Sequence, residues 1–382
     1  MSYPRAVQRT ESEIKEVMMR RTRPTLLIAL GSTSLLLGGC AAAPASGDGA
    51  AVRDSDFLPC AVSDLTGFDD RDFNQLTYEG VKAAAHDLGV ETKSAESASE
   101  DQYASNIEGV IAQDCDFIVT VGFALANATR DAATVEQEVD FALIDSIVTD
   151  SDGEPLTLDN VKPVLFDTAQ AAALAGYLAA GVSQTGVVGT YGGMPFPSVT
   201  VFMDGFAAGI ARYNEAHSAS VELLGWDAAD QNGLFVGGFD DQIKARTITE
   251  GLLDQGVDVI MPVAGTLFQA SAAVARERGA DVAIIGVNGD AYESTPEFSA
   301  LYLTSVLKDL TTAAEEVTLD AAAGDFSSTP YIGTLENGGV DIAPTHDWES
   351  RIHPALLDEV EQLRADIVSG AVVIESQSSP RA

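Results

Sequence analysis

The sequence predicts an α/β protein of two lobes, each with a mostly parallel sheet covered by helices. Three observations carry the prediction. From residue 57 onward, short continuous apolar runs alternate with segments of helical periodicity, the pattern of strands buried on both faces by their own crossover helices. The series halts near Gly181–Thr185, where a helical stretch ends in glycine and polar residues, and then starts afresh. Finally, 46% of the chain is hydrophobic, which excludes a disordered protein and, over this length, provides for two cores.

In the first series Phe57–Asp64 reads as a strand and Phe73–Leu88 as a helix. Asp116–Gly122 is the next strand, Ala124–Val139 a helix and Phe141–Asp145 a strand. A polar excursion at 149–160 precedes a strand at Val161–Phe166 and a helix over Thr168–Ala180. The second series gives strands at Gly186–Gly192, Val221–Trp226, Val257–Val263 and Val282–Val287, with helices at Val199–Tyr213, Asp241–Asp254 and Leu267–Arg278. Toward the end the rhythm loosens. Leu303–Val317 is expected to be mostly helical, Tyr331–Leu335 a strand and Pro354–Val368 an amphipathic helix.

The amino-terminal region carries an address. Arg20, Arg21 and Arg23 precede an apolar stretch from Leu26 to Gly38 that is short for a membrane span, and Gly38-Gly39-Cys40 closes it. Residues 1–39 are therefore expected to be an export signal, with the true start at Met18 or Met19. The small-residue pair before Cys40 resembles the lipobox of bacterial lipoproteins, which implies cleavage there, acylation of Cys40, and a protein lipid-anchored on the outer side of the cytoplasmic membrane. Residues 40–57 read as a tether. Removing 1–39 leaves 15 basic and 55 acidic residues, a formal charge of −40, which argues against nucleic acid or anionic lipid as a partner. Cys60 and Cys115 each stand at the start of a strand. If those strands are parallel neighbours the thiols can form a disulfide; otherwise they are buried thiols.

No catalytic, metal or cofactor motif is present. His86, His217, His346 and His353 are widely spaced, and there is neither a GxSxG elbow nor a GxxxxGK[ST] loop. The polar segment from Asp64 to Gln75 instead falls between a strand and a helix, where ligands gather at the carboxyl edge of a parallel sheet. Asp64 offers a carboxylate, Asn74 a donor and an acceptor, and Phe73 a ring for stacking. Other candidates at strand ends are the glycine-rich run around Met194, then Phe239, Gly265, Asn288 and Asp290, with Lys308 placed on a helix.

Together these segments resemble the basic membrane protein family of bacterial substrate-binding lipoproteins, which includes a purine nucleoside receptor. The resemblance rests on Asp64–Gln75, Gly192–Gly209, Gly256–Gly265, and Gly286–Asp290 followed by Thr304-Ser305-Val306-Leu307-Lys308. It implies a type I periplasmic-binding-protein fold with three inter-lobe crossings, near 184, 288 and 327. Lobe one would comprise 58–183 and 290–325, lobe two 184–289 and 326–372, and 373–382 a tail. It further implies that Phe73 and Phe239 sandwich a nucleobase, Asp64 and Asn74 address its polar edge, Gly265 supplies backbone contacts, and position 288 with Lys308 takes the ribose. The family usually has aspartate where this chain has Asn288, so Asp290 is an alternative. The stretch before Phe239 is long, which makes Trp226 or Phe235 alternative stacking residues.

The function expected is capture of a purine nucleoside, or a related aromatic solute, by a monomer that serves an ABC permease and its ATPase. A binder of a sugar or vitamin, or a surface or sensory lipoprotein without a transport role, are the alternatives.

Overall fold

The carboxyl edges of two sheets face each other across a cleft in the computed structural model, which describes residues 57–279 and 281–381. The expected signal, its cleavage site and Cys40 lie outside the described residues, as does the tether up to residue 56. Among the described residues no helix is long and apolar enough to cross a membrane.

The chain begins with β1 (Pro59–Val62), α1 (Phe73–Leu88), β2 (Lys93–Ala95), α2 (Tyr103–Ile111), β3 (Phe117–Val121), α3 (Ala126–Val135), β4 (Asp140–Ile144) and β5 (Val161–Phe166). Helix α1 forms where its sequence predicts it, for local reasons. The Asp70 carboxylate accepts hydrogen bonds from the N–H groups of Asn74 and Gln75, and Gly89 ends the helix in the left-handed conformation at φ 72°. Cys60 and Cys115 are joined by a disulfide, their Cα atoms 6.0 Å apart.

The chain then crosses to the second lobe with α4 (Thr168–Val182), β6 (Val187–Gly192), α5 (Pro197–His217) and β7 (Glu222–Leu224). A small hairpin of β8 (Trp226–Asp227) and β9 (Asn232–Gly233) leads to α6 (Gln242–Asp254), β10 (Val259–Val263), α7 (Phe268–Arg278), β11 (Ala283–Asn288), the short α8 (Ala291–Ser294) and β12 (Tyr302–Lys308). Last come α9 (Leu310–Ala322), β13 (Tyr331–Gly333), β14 (Val340–Ile342) and α10 (Pro354–Val368). The first sheet runs β13-β5-β4-β3-β1-β2, all parallel. The second runs β14-β12-β11-β10-β6-β7, parallel except for β14.

These pairings move the lobe boundaries from those expected at 184, 288 and 327. Helix α4 packs on α5 in lobe two, because small residues let the two backbones meet: a Cβ at Gly176 would fall 2.2 Å from the Phe206 carbonyl oxygen, and one at Gly209 2.0 Å from that of Ala173. Residues 302–308 are a strand of lobe two, paired with β11, whereas a lobe-one helix was expected there. Strand β13 belongs to the first sheet and α9 packs on α1, so both lie in lobe one. The three crossings therefore fall at Asp167, at Asp309 and between Gly333 and Val340. They lie side by side: Asp167 N–H donates to the Gly333 carbonyl (2.8 Å) and Asp309 N–H to that of Gly339 (2.9 Å).

The expected tail is also structured. Ile374 is buried, Ser376 Oγ donates to Asp204 Oδ2 (2.6 Å) and Ser379 Oγ donates to Asp167 Oδ1 (2.8 Å), which straps the segment over α5 to the first crossing.

Candidate ligand-binding site

A cavity of about 700 Å³ opens between the two sheet edges, within the range of small-molecule sites. Lobe one contributes the loop between β1 and α1. There Asp64 Oδ1 accepts from Thr66 N–H, Thr66 Oγ1 and Asn74 Nδ2, while Thr66 Oγ1 and Asp70 Oδ2 also accept from the Asn74 amide. Asn74 Oδ1 in turn accepts from the Asp64 N–H. Asn74 is fully buried and does not line the cavity, so its amide is committed to holding the loop and not to a ligand. The loop presents Asp64, Asp72 and Phe73 inward. Gly122, beside the Phe73 ring, adopts φ 94°, a backbone conformation that favours glycine.

Lobe two presents Met194, Phe239, Gly265, Asn288 and Lys308. Lys308 ends β12 and is not helical, a correction that adds it to the set of strand-end residues. Its Nζ sits 2.6 Å from Asp145 Oδ2 on lobe one and lies over the rings of Phe202 (4.9 Å) and Phe73 (5.6 Å).

Three expected residues are placed elsewhere. Asp290 caps the Tyr292 N–H and pairs with His346 Nε2 at 2.7 Å, so its carboxylate is spoken for. Trp226 donates its indole N–H to Asp204 Oδ1 inside lobe two, and Phe235 packs edge-on against it and beneath Gly192. Neither ring lines the cavity.

The cavity also holds residues that the sequence reading did not name. Phe123, just past β3, meets Phe196 (centroids 4.1 Å) and Phe239 (5.8 Å) of the opposite lobe. Asp72 Oδ2 accepts from Asn288 Nδ2 (3.1 Å) and its Oδ1 from Gly289 N–H (3.2 Å), again across the cleft. Burial pushes the Asp72 carboxyl up to about 7, against the opposing pull of the Asn288 hydrogen bond; burial likewise raises Asp64. Tyr103, on α2, is buried at the same wall with no hydrogen-bond partner for its hydroxyl; the Leu65 N–H beside it falls short of full hydrogen-bond geometry. Asp72 and Phe123 each adjoin a residue already marked as a strand-end candidate or strand limit, and that adjacency was the available signal.

Among the lining residues Lys308 is the single lysine or arginine, against Asp64, Asp70, Asp72, Glu100, Asp145 and Asp240. No cluster of histidine, cysteine or carboxylates suited to a metal ion occurs among the described residues.

A family model described as ABC transporter substrate-binding protein, PnrA-like (Bmp) matches residues 58–378. The chain belongs to the Bmp family. As a family member it is a substrate-binding protein of an ABC transporter. It is 27% identical over 94% of its length to the whole of the ABC transporter nucleoside-binding protein BmpA of Lactococcus lactis. To basic membrane protein A1 of Borrelia garinii it is 29% identical, over 64% of this chain and 66% of that protein. Among solved structures, an ABC transporter solute-binding protein from Aeropyrum pernix superposes with a TM-score of 0.72 at 24% identity, over 84% of this chain and 94% of that one. Another, from Conexibacter woesei, gives 0.62 at 21% identity over 85% and 100%. The Bmp protein thus has the type I periplasmic-binding-protein fold.

Proposed function

We propose that this Bmp protein captures a nucleoside, with a purine as the expected base, and delivers it to the permease of its ABC importer. The observation that carries the reading is the presence of Phe73 from lobe one and Phe239 from lobe two on the walls of one cavity that Asp72, Asn288 and Lys308 also line. A flat base between two rings and a hydroxylated sugar at the polar end match that division of surfaces. Asp64 Oδ2 and the Tyr103 hydroxyl, neither with a hydrogen-bond partner, are available to the polar edge of the base, and Gly265 offers backbone groups. The nucleoside-binding name of the Lactococcus relative supports the same substrate class. Closure is a hinge motion about the three adjacent crossings. Acylation of Cys40 would hold the monomer at the outer face of the membrane, beside its permease.

Calorimetric titration with adenosine, guanosine and inosine tests the substrate. Phe73→Ala and Phe239→Ala should each weaken binding by about 1–3 kcal/mol, the usual worth of a base–aromatic stack. Absence of binding across the panel would end the nucleoside reading and leave the transporter assignment standing. Cys40→Ser should move the protein from the membrane to the soluble fraction.

A further inference from the structure

The polar end of the cleft has an uneven supply of acceptors. Asp290 is engaged by His346 and by its own helix, and Asp145 faces Lys308. Asp70 accepts five hydrogen bonds from its own loop; Asp64 Oδ1 accepts three, and its free Oδ2 is the group assigned above to the edge of the base. Asp72 differs from all of these. Each of its oxygens takes one hydrogen bond, both from lobe two, and a carboxylate oxygen has room for two. It lines the cavity while only 3% exposed, so any donor reaching it is out of competition with bulk water. Asn288, held at φ 64°, turns its amide N–H toward Asp72 and is itself 8% exposed.

We propose that Asp72 is the specificity-determining acceptor for the hydroxyl groups at the ligand's polar end, held in place across the cleft by Asn288 and the Gly289 N–H. The inference rests on the nucleoside reading and deepens it: the substrate class becomes ribosides with an intact vicinal diol. Because the carboxylate comes from lobe one and its anchors from lobe two, recognition of the diol and contact between the lobes use the same group. Two hydroxyl donors of a cis-diol match the two remaining acceptor positions, and Lys308, which acts on the Asp72 charge, stands by the same end.

The test compares each riboside of the panel with its 2′,3′-dideoxy analogue by calorimetry on the full chain. At about pH 8, where Asp72 is ionised, wild-type protein should prefer the riboside by about tenfold or more, the loss expected when a charge-assisted hydrogen bond is removed. In Asp72→Asn that ratio should fall to within about twofold of unity, with Phe73→Ala still weakening both ligands. The exchange variant Asp72→Asn with Asn288→Asp keeps one carboxylate and one amide in the contact, which guards against a folding failure of the single variant, and should restore a riboside preference. A wild-type ratio near unity, or an Asp72→Asn ratio equal to that of wild type, overturns the assignment of Asp72 while ribosides continue to bind. If no nucleoside binds at all, the substrate reading falls and this inference falls with it.

Discussion

At the level of single residues, two groups in the cleft have effects on stability and on binding that oppose each other. Asp72 is held protonated by burial up to about pH 7, whereas in the unfolded chain it ionises near 4. A carboxyl whose folded pKa is raised contributes fully below the unfolded value, and the contribution is lost as pH rises through the folded one. Relative to Asp72→Asn, wild-type stability should therefore fall between about pH 4 and pH 7 and level off above, as read from urea midpoints. Asn288, the Gly289 N–H, Asp70 and Lys308 are the groups that bear on Asp72, and the difference between the two proteins cancels the parallel rise at Asp64. Tyr103 gives the second case. Its buried hydroxyl without a partner costs about 1–3 kcal/mol, so Tyr103→Phe should raise the melting temperature of the ligand-free protein and weaken nucleoside binding. A loss of both stability and affinity would instead mean that the hydroxyl is held within the protein.

Among the elements, the junction of α4 with α5 depends on the absence of side chains. Gly209→Ala gains about 1 kcal/mol of helix propensity but drives a Cβ against the Ala173 carbonyl oxygen, at a cost of about 1–3 kcal/mol. Because the obstacle is backbone, the clash should prevail and thermal unfolding should occur at a lower temperature. The same helix marks the limit of what the sequence discloses. Helix α1, strand β5 and helix α10 have in the structure the limits that their periodicity, caps and prolines predict. Helix α4 was legible as a helix, but it is apolar around nearly its whole circumference, and such a pattern does not say which sheet it covers. Residues 302–308 read as helix because their apolar positions run on into α9; the boundary is Asp309, whose carboxylate caps the Thr312 N–H. The three-residue strands β2 and β14 are too short to show a period. In the site, strand ends pointed to Phe73, Phe239 and Gly265, and the family resemblance to Lys308, all of which the fold brings to one cavity. The contacts of Asp72 with Asn288 and of Phe123 with Phe196 join residues far apart in the chain, so no local pattern announces them.

Over the whole molecule the charge is −37, and the cleft shares that sign, since Lys308 alone opposes six carboxyl groups and is already paired. A phosphate on the ligand would enter an unfavourable field with no free cation among the lining residues to receive it. Adenosine monophosphate should therefore bind at least about tenfold more weakly than adenosine, a gap that widens at low ionic strength. The hinge is equally a property of the whole chain: three crossings, with Ser379 fastened to Asp167 at the first, mean that neither lobe is a continuous stretch. A fragment of residues 57–183 should be insoluble or aggregated on gel filtration, because it carries α4 without α5 and a first sheet without β13. That interleaving has a bearing on descent. Relatives of this protein could not have traded ligand preferences by a single recombination that swaps one whole lobe for another, because any one exchange point within the fold leaves at least one lobe a chimaera.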